Sequence, residues 1–118
     1  MVEHLHGTTV YIADREVSTD RDAVDVIAAA HYEHGAEFLV LPVDKLPAEF
    51  FRLKSGIAGA IVQKFVDYRM RLAVMGDIEA HAAASTPFRD WVREANRGRH
   101  LWFVADLADL SERLAAQQ

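Results

Sequence analysis

The side chains of this sequence that could do chemistry fall into four sets. Ser55 lies in Leu53-Lys54-Ser55-Gly56-Ile57-Ala58-Gly59, at a helical turn following an apolar run. Backbone N–H groups at a helix start favour an anion, so Ser55 reads either as a phosphoacceptor or partner contact, or as a first-turn cap. Asp44, Asp77 and Asp106 each follow an apolar run. Carboxylates outside the carboxyl ends of parallel strands could bind a ligand, or Mg²⁺ through oxygen. Turn and capping roles explain the same three residues more cheaply. A receiver-type phosphoacceptor site needs an acidic pair after the first strand and a Lys after the last, whereas only Asp14 and Asp106 stand there. His31 and His34 have a spacing that a metal would use, and His4 and His6 would share one strand face. No third ligand accompanies either pair, and neither metal nor cofactor is expected. Arg89, Arg93 and Arg97 recur at i, i+4 and i+8, with Arg99 beyond. A phosphate or an acidic partner could use that stripe, but Asp90 and Glu94 interleave, as on a solvated, ion-paired face. Asn96 and Arg97, where this helix ends, join the three aspartates as candidate ligand-binding residues.

No dinucleotide-binding GxGxxG, Walker loop, nucleophile elbow or zinc-protease motif is present. Gly56 and Gly59 read as a close-packing pair inside a helix, since each costs roughly 1 kcal/mol there relative to Ala.

These residues need elements to position them. Residues 2–5 read as a short strand and 8–13 as a better one, rich in β-branched residues. A helix capped by Ser18 or Thr19 runs past Val24, Ile27 and His31 to Gly35. Residues 38–41, 71–75 and 101–104 are apolar runs of the kind covered on both faces of a sheet. Between the first two, residues 50–65 read as the large central helix, with Ile57, Ile61, Phe65 and Tyr68 as its apolar stripe. Residues 78–84 suggest a loop with a partial helical turn. Ser85 or Thr86 caps a helix carrying Phe88, Trp91, Val92 and Ala95 inward, and residues 107–116 form a last helix. Strands alternating with helices give an α/β fold with βα repeats, a mostly parallel sheet and an antiparallel N-terminal edge.

The chain has 118 residues, 51% hydrophobic and 26% charged, which suits one globular domain over residues 1–118. A net charge of −5 opposes non-specific binding to nucleic acid or anionic membrane. Without cysteine there are no disulfides or thiolate metal sites. No signal peptide or membrane-spanning run is visible, and a cytoplasmic location is expected.

The run around Ser55-Gly56 resembles STAS domains, the anti-sigma-factor antagonist fold. There an Asp-Ser-Ser-Gly-Leu-Gly-like run opens the equivalent helix, and the Ser before the Gly can be phosphorylated. This chain carries Leu53 and Lys54 where the antagonists have Asp and Ser. Nearly the whole chain resembles a bacterial family of unknown function. The shared blocks are Phe-Phe-x-Leu-x-Ser/Thr-Gly-x-Ala-Gly at 50–59, Gln-Lys-Phe at 63–65, Gly-Asp at 76–77 and Asn-x-Gly at 96–98. The STAS resemblance implies a non-enzymatic regulatory or protein-interaction domain. Its expected partner face is Arg52, Lys54, Ser55 and Gly56, with control at Ser55. The alternative is a small enzyme or small-molecule binder on the rim of Asp44, Asp77 and Asp106. A homodimer through an edge strand is the third reading.

Overall fold

In the computed structural model, which describes residues 1–117, β1 (Val2–Leu5) turns back at His6-Gly7 into β2 (Thr8–Ile12). Then follow α1 (Asp20–Ala28), β3 (Phe38–Pro42), α2 (Ile57–Asp67), β4 (Arg71–Met75), α3 (Glu79–Ala84), α4 (Thr86–Arg97), β5 (Leu101–Val104) and α5 (Leu107–Ala116). The strands lie side by side in chain order, antiparallel between β1 and β2 and parallel from β2 to β5. The α/β class, the adjacent parallel strands and the antiparallel N-terminal edge are therefore as the sequence implies.

The continuous apolar strands follow from having two covered faces. Leu39, Leu41, Leu72, Val74, Leu101 and Phe103 point to one core, shared with Val26 and Ile27 of α1, Ile61 and Phe65 of α2, and Phe88 of α4. Phe38, Val40, Ala73, Trp102 and Val104 point to the other, where α5 supplies Leu110 and Leu114. Crossovers of one hand in a sheet of sequential order put their helices on the same face. The opposite face is left to α5. That helix is about 15 Å long, against a width of about 19 Å for five strands. Part of the remainder is covered by arginines. The Arg71 guanidinium lies 4.9 Å from the ring centres of both Phe38 and Trp102, and Arg113 lies 4.7 Å from Trp102.

The central stretch differs from expectation. Ala48–Phe51 and Leu53–Ser55 form two 3-10 turns, and the helix begins only at Ile57. Gly56 is not inside it. It stands at φ +79°, a left-handed conformation in which the missing Cβ avoids strain, and it redirects the chain into α2. Phe50 and Phe51 reach the core from the first turn. The apolar stripe holds for Ile61 and Phe65 but fails at Tyr68, which is largely exposed because the helix stops at Asp67. Gly59 is no close-packing site: a Cβ there would meet nothing within 4 Å. The close approach is at Gly76, φ +142°, where a Cβ would lie 2.9 Å from Cγ2 of Val43.

Two further departures concern helix ends. After Ala28 the first helix widens into a π turn, Ala29–Glu33, before Gly35 ends it at φ +61°. Residues 79–84 form the helix α3, which buries no residue fully. His81 anchors it by stacking on Phe51, ring centres 3.9 Å apart. Among the described residues, no helix is long and apolar enough to cross a membrane.

Candidate functional site

Of the sets singled out by residue type, the one around Ser55 occupies a groove. A space of about 720 Å³ opens between residues 52–55 and residues 84–87. Arg52, Leu53, Lys54 and Ser55 form one wall, and Ala84, Ser85, Thr86 and Pro87 the other. The starts of α2 and α4 thus meet in one place, because β3 and β4 are neighbours and their following segments rise from the same end of the sheet.

Each wall is held by a serine. The Ser55 hydroxyl donates to the Glu49 carbonyl at 2.6 Å and accepts the Ile57 N–H at 3.2 Å. It closes the chain from 49 to 57 into a loop while remaining exposed, so the phosphoacceptor and capping readings are not exclusive alternatives. Ser85 caps α4 by accepting the Phe88 N–H at 3.2 Å, and Pro87 lacks an N–H to present. Arg52 makes an exposed ion pair with Glu49 at 3.5 Å, a contact of small worth in water. Lys54 is exposed and has no ion pair among the described residues. Gly56 lies beside the groove and supplies the turn that aims Ser55 at it.

The three aspartates each stand two residues beyond the paired positions Pro42, Met75 and Val104, and two of them serve local hydrogen bonds. Asp77 accepts the Glu79 N–H at 2.9 Å, and Asp106 caps α5 by accepting the Asp109 N–H at 2.9 Å. Asp44 sits exposed in the 3-10 turn after β3. Among the described residues no three His, Asp or Glu gather in a way that could hold a metal ion. Topology supplies a reason. Ligands of open α/β sheets lodge where the strand order reverses, and the order here never does.

The other candidates have structural partners. Asn96 accepts the Phe103 N–H through its side chain and the Arg113 guanidinium through its carbonyl. Arg97 is exposed and stands 3.9 Å from Glu94, as a solvated face implies. His34 stacks on Tyr11 and His31 meets Tyr32 edge-on, so the two histidines serve different contacts. His4 contacts Thr9, and His6 contacts Ser111.

Displaced ionisation occurs away from the groove. Burial, then the nearby Arg99, lowers the Arg71 pKa, opposed by Glu37. Burial, then Arg71, lowers that of His100. The Ser18 N–H lowers the Asp22 carboxyl pKa; burial opposes this, and the Thr19 N–H and hydroxyl add to the lowering in a capping box at α1. The Arg71–Trp102–Arg113 assembly escaped the sequence reading. Its signal was an arginine opening an otherwise apolar strand.

No curated protein and no solved structure matches the chain. A family model matches residues 6–114, nearly the whole sequence, and the chain belongs to that family, the domain of unknown function DUF4180.

Proposed function

We propose that this domain is a regulatory or protein-interaction module without catalysis, STAS-like in its use of the Ser55-Gly56 helix start. The observation that carries the reading is the exposed groove where the starts of α2 and α4 converge beside the unpaired Lys54. Two positive helix ends, Lys54 and Arg52 make a cationic spot on a chain of net charge −5. Its chemistry fits an acidic segment of a partner protein. Serine hydroxyls already take the Ile57 and Phe88 N–H groups, and Pro87 has none, which favours a carboxylate meeting Lys54 and Arg52 over a phosphate cradled by backbone.

Control at Ser55 follows from its hydrogen bonds. A phosphate esterified to Oγ replaces the hydrogen now donated to the Glu49 carbonyl. That modification would open the loop between 49 and 57 and add about −1.5 to −2 charges against an acidic partner.

The test is capture from the native host's extract on immobilised wild-type protein and on two variants, Lys54→Glu and Ser55→Asp. A protein retained by the wild type and lost on both supports the reading. Capture indifferent to both substitutions, or no specific capture, overturns it.

A further inference from the structure

We infer that a second site lies at the opposite end of α2, a cleft that binds a planar aromatic ligand carrying one anionic group. The cleft, about 530 Å³, is of the size that takes a small molecule. It opens between the π turn after α1 and the last turn of α2. Buried Ile27, Ala36 and Met70 form its floor, and Tyr32, Tyr68 and Arg69 stand at its rim.

Three features at this rim depart from ordinary packing, and each bears on the same ligand chemistry. The large apolar side chains exposed among the described residues are Met1, Tyr32, Val66 and Tyr68. Tyr32, 84% exposed, and Tyr68, 57% exposed, both line this cleft, and Val66 precedes Tyr68 by two residues. Two largely exposed tyrosine rings beside an apolar floor suit a flat ring. Tyr32 lies in the π turn, a distortion that recurs at functional sites in helices.

The third feature is Arg69. It is the residue after the α2 C-cap, at φ +55°. Its N–H bonds the Val66 carbonyl at 3.1 Å, and the Met70 N–H bonds Phe65 at 2.9 Å. This is the Schellman ending, whose left-handed position glycine occupies with least strain. An arginine stands there instead. Its guanidinium makes no hydrogen bond or ion pair among the described residues. A strained cation without a partner, beside two exposed tyrosines, calls for an anion on the ring's edge. Glu37 also lines the cleft, where Arg71 of β4 opposes its charge. The cleft lies at the amino ends of β3 and β4, the end where ligands of open α/β sheets do not ordinarily bind. It is separated from the Ser55 groove by the length of α2, about 16 Å, and stands independently of that reading.

The test is a two-dimensional amide NMR titration of the whole chain with 2-naphthoate, and with neutral 2-naphthamide as control. Shifts should concentrate at residues 27–37 and 66–70, with naphthamide binding about tenfold more weakly, the loss of one charge-assisted contact. Arg69→Gly should raise Tm, because glycine suits the left-handed position, and should weaken naphthoate about tenfold. A role in folding alone could not produce that opposition. Tyr32→Ser should keep Tm and weaken both probes. The inference is overturned if millimolar naphthoate shifts nothing, if shifts lie elsewhere, or if Arg69→Gly binds naphthoate as tightly as wild type. It is equally overturned if these resonances move with protein concentration alone, which would give the rim to a second copy of the chain.

Discussion

The side-chain oxygen of Asn96 accepts the backbone N–H of Phe103 at 2.8 Å. The bond ties the last turn of α4 to the outer edge of β5, the strand with no neighbour beyond it. Ala105 likewise gives its N–H to Asp109, at 3.0 Å. An edge with its Phe103 and Ala105 donors taken is a poorer template for another strand. These bonds weaken the idea of a homodimer through β5. Asn96→Ala should lose about 1–3 kcal/mol of stability by stranding the Phe103 N–H. It should also raise the apparent mass by light scattering as the edge opens. A variant with the melting curve and mass of the wild type would make the bond incidental.

Two glycines should respond in opposite directions. Gly59 is exposed in the first turn of α2 with open space where a Cβ would stand, so Gly59→Ala should stabilise by about 0.4–1 kcal/mol. At Gly76 the added methyl meets Val43 at 2.9 Å, in a backbone conformation that L-residues rarely adopt. Gly76→Ala should therefore destabilise by about 1–3 kcal/mol. Paired thermal melts decide. A rise for both would contradict the geometry at Gly76, and a fall for both that at Gly59.

The sheet was legible because burial on both faces leaves an unbroken apolar run, as in residues 38–41, and because strand–helix alternation dictates parallel neighbours. Ile61 and Phe65 were legible for the same reason, being buried on the helical period. Ile61→Ala should cost about 2–5 kcal/mol, measurable by urea unfolding. The start of α2 was not legible. Short 3-10 turns with apolar residues three apart imitate a helix, and Gly56 looks like a costly interior residue until its positive φ is known. The rim of the second cleft was hidden for a converse reason. Tyr68 continues the apolar spacing beyond the point where the helix stops, and no glycine marks the left-handed turn at Arg69. The carboxylates were half legible: the capping chemistry of Asp77 and Asp106 can be read locally, whereas a strand order without reversal, which leaves no switch-point crevice beside them, is a property of the whole sheet.

His100 gives the fold a pH dependence. Burial and Arg71 hold its pKa below the ordinary histidine value of 6.5, so the unfolded chain takes up the proton first. Stability is then greatest above that value and falls as pH drops through it towards the folded pKa. The lowered Asp22 pKa acts in the same direction, but only below its ordinary value of 3.8. His100→Gln, which does not titrate, should flatten the dependence of unfolding free energy between about pH 7 and 5. An unchanged slope would remove His100 from that dependence.

Ser55 carries the last prediction, since its hydroxyl joins the fold to the proposed partner face. Sequence reasoning from an exposed helix start expects Ser55→Ala and Ser55→Asp both to leave the melting temperature nearly unchanged. The two hydrogen bonds made by Oγ revise that expectation. Ser55→Ala removes both, and at an exposed site should lose about 0.5–1.5 kcal/mol. Ser55→Asp can still accept the Ile57 N–H and places its charge at the start of α2, a gain of about 0.3–1 kcal/mol. It cannot donate to the Glu49 carbonyl, and it sets a carboxylate beside that oxygen. The two variants should therefore melt below the wild type by similar amounts. Binding should separate them: Ser55→Ala keeps the cationic groove and should retain an acidic partner, whereas Ser55→Asp should release it, more so at low salt, where repulsion is least screened. Calorimetric melts paired with binding at two ionic strengths test both halves. Equal retention of the captured partner by both variants would remove Ser55 from control, while leaving the loop from 49 to 57 as the element that its hydroxyl holds.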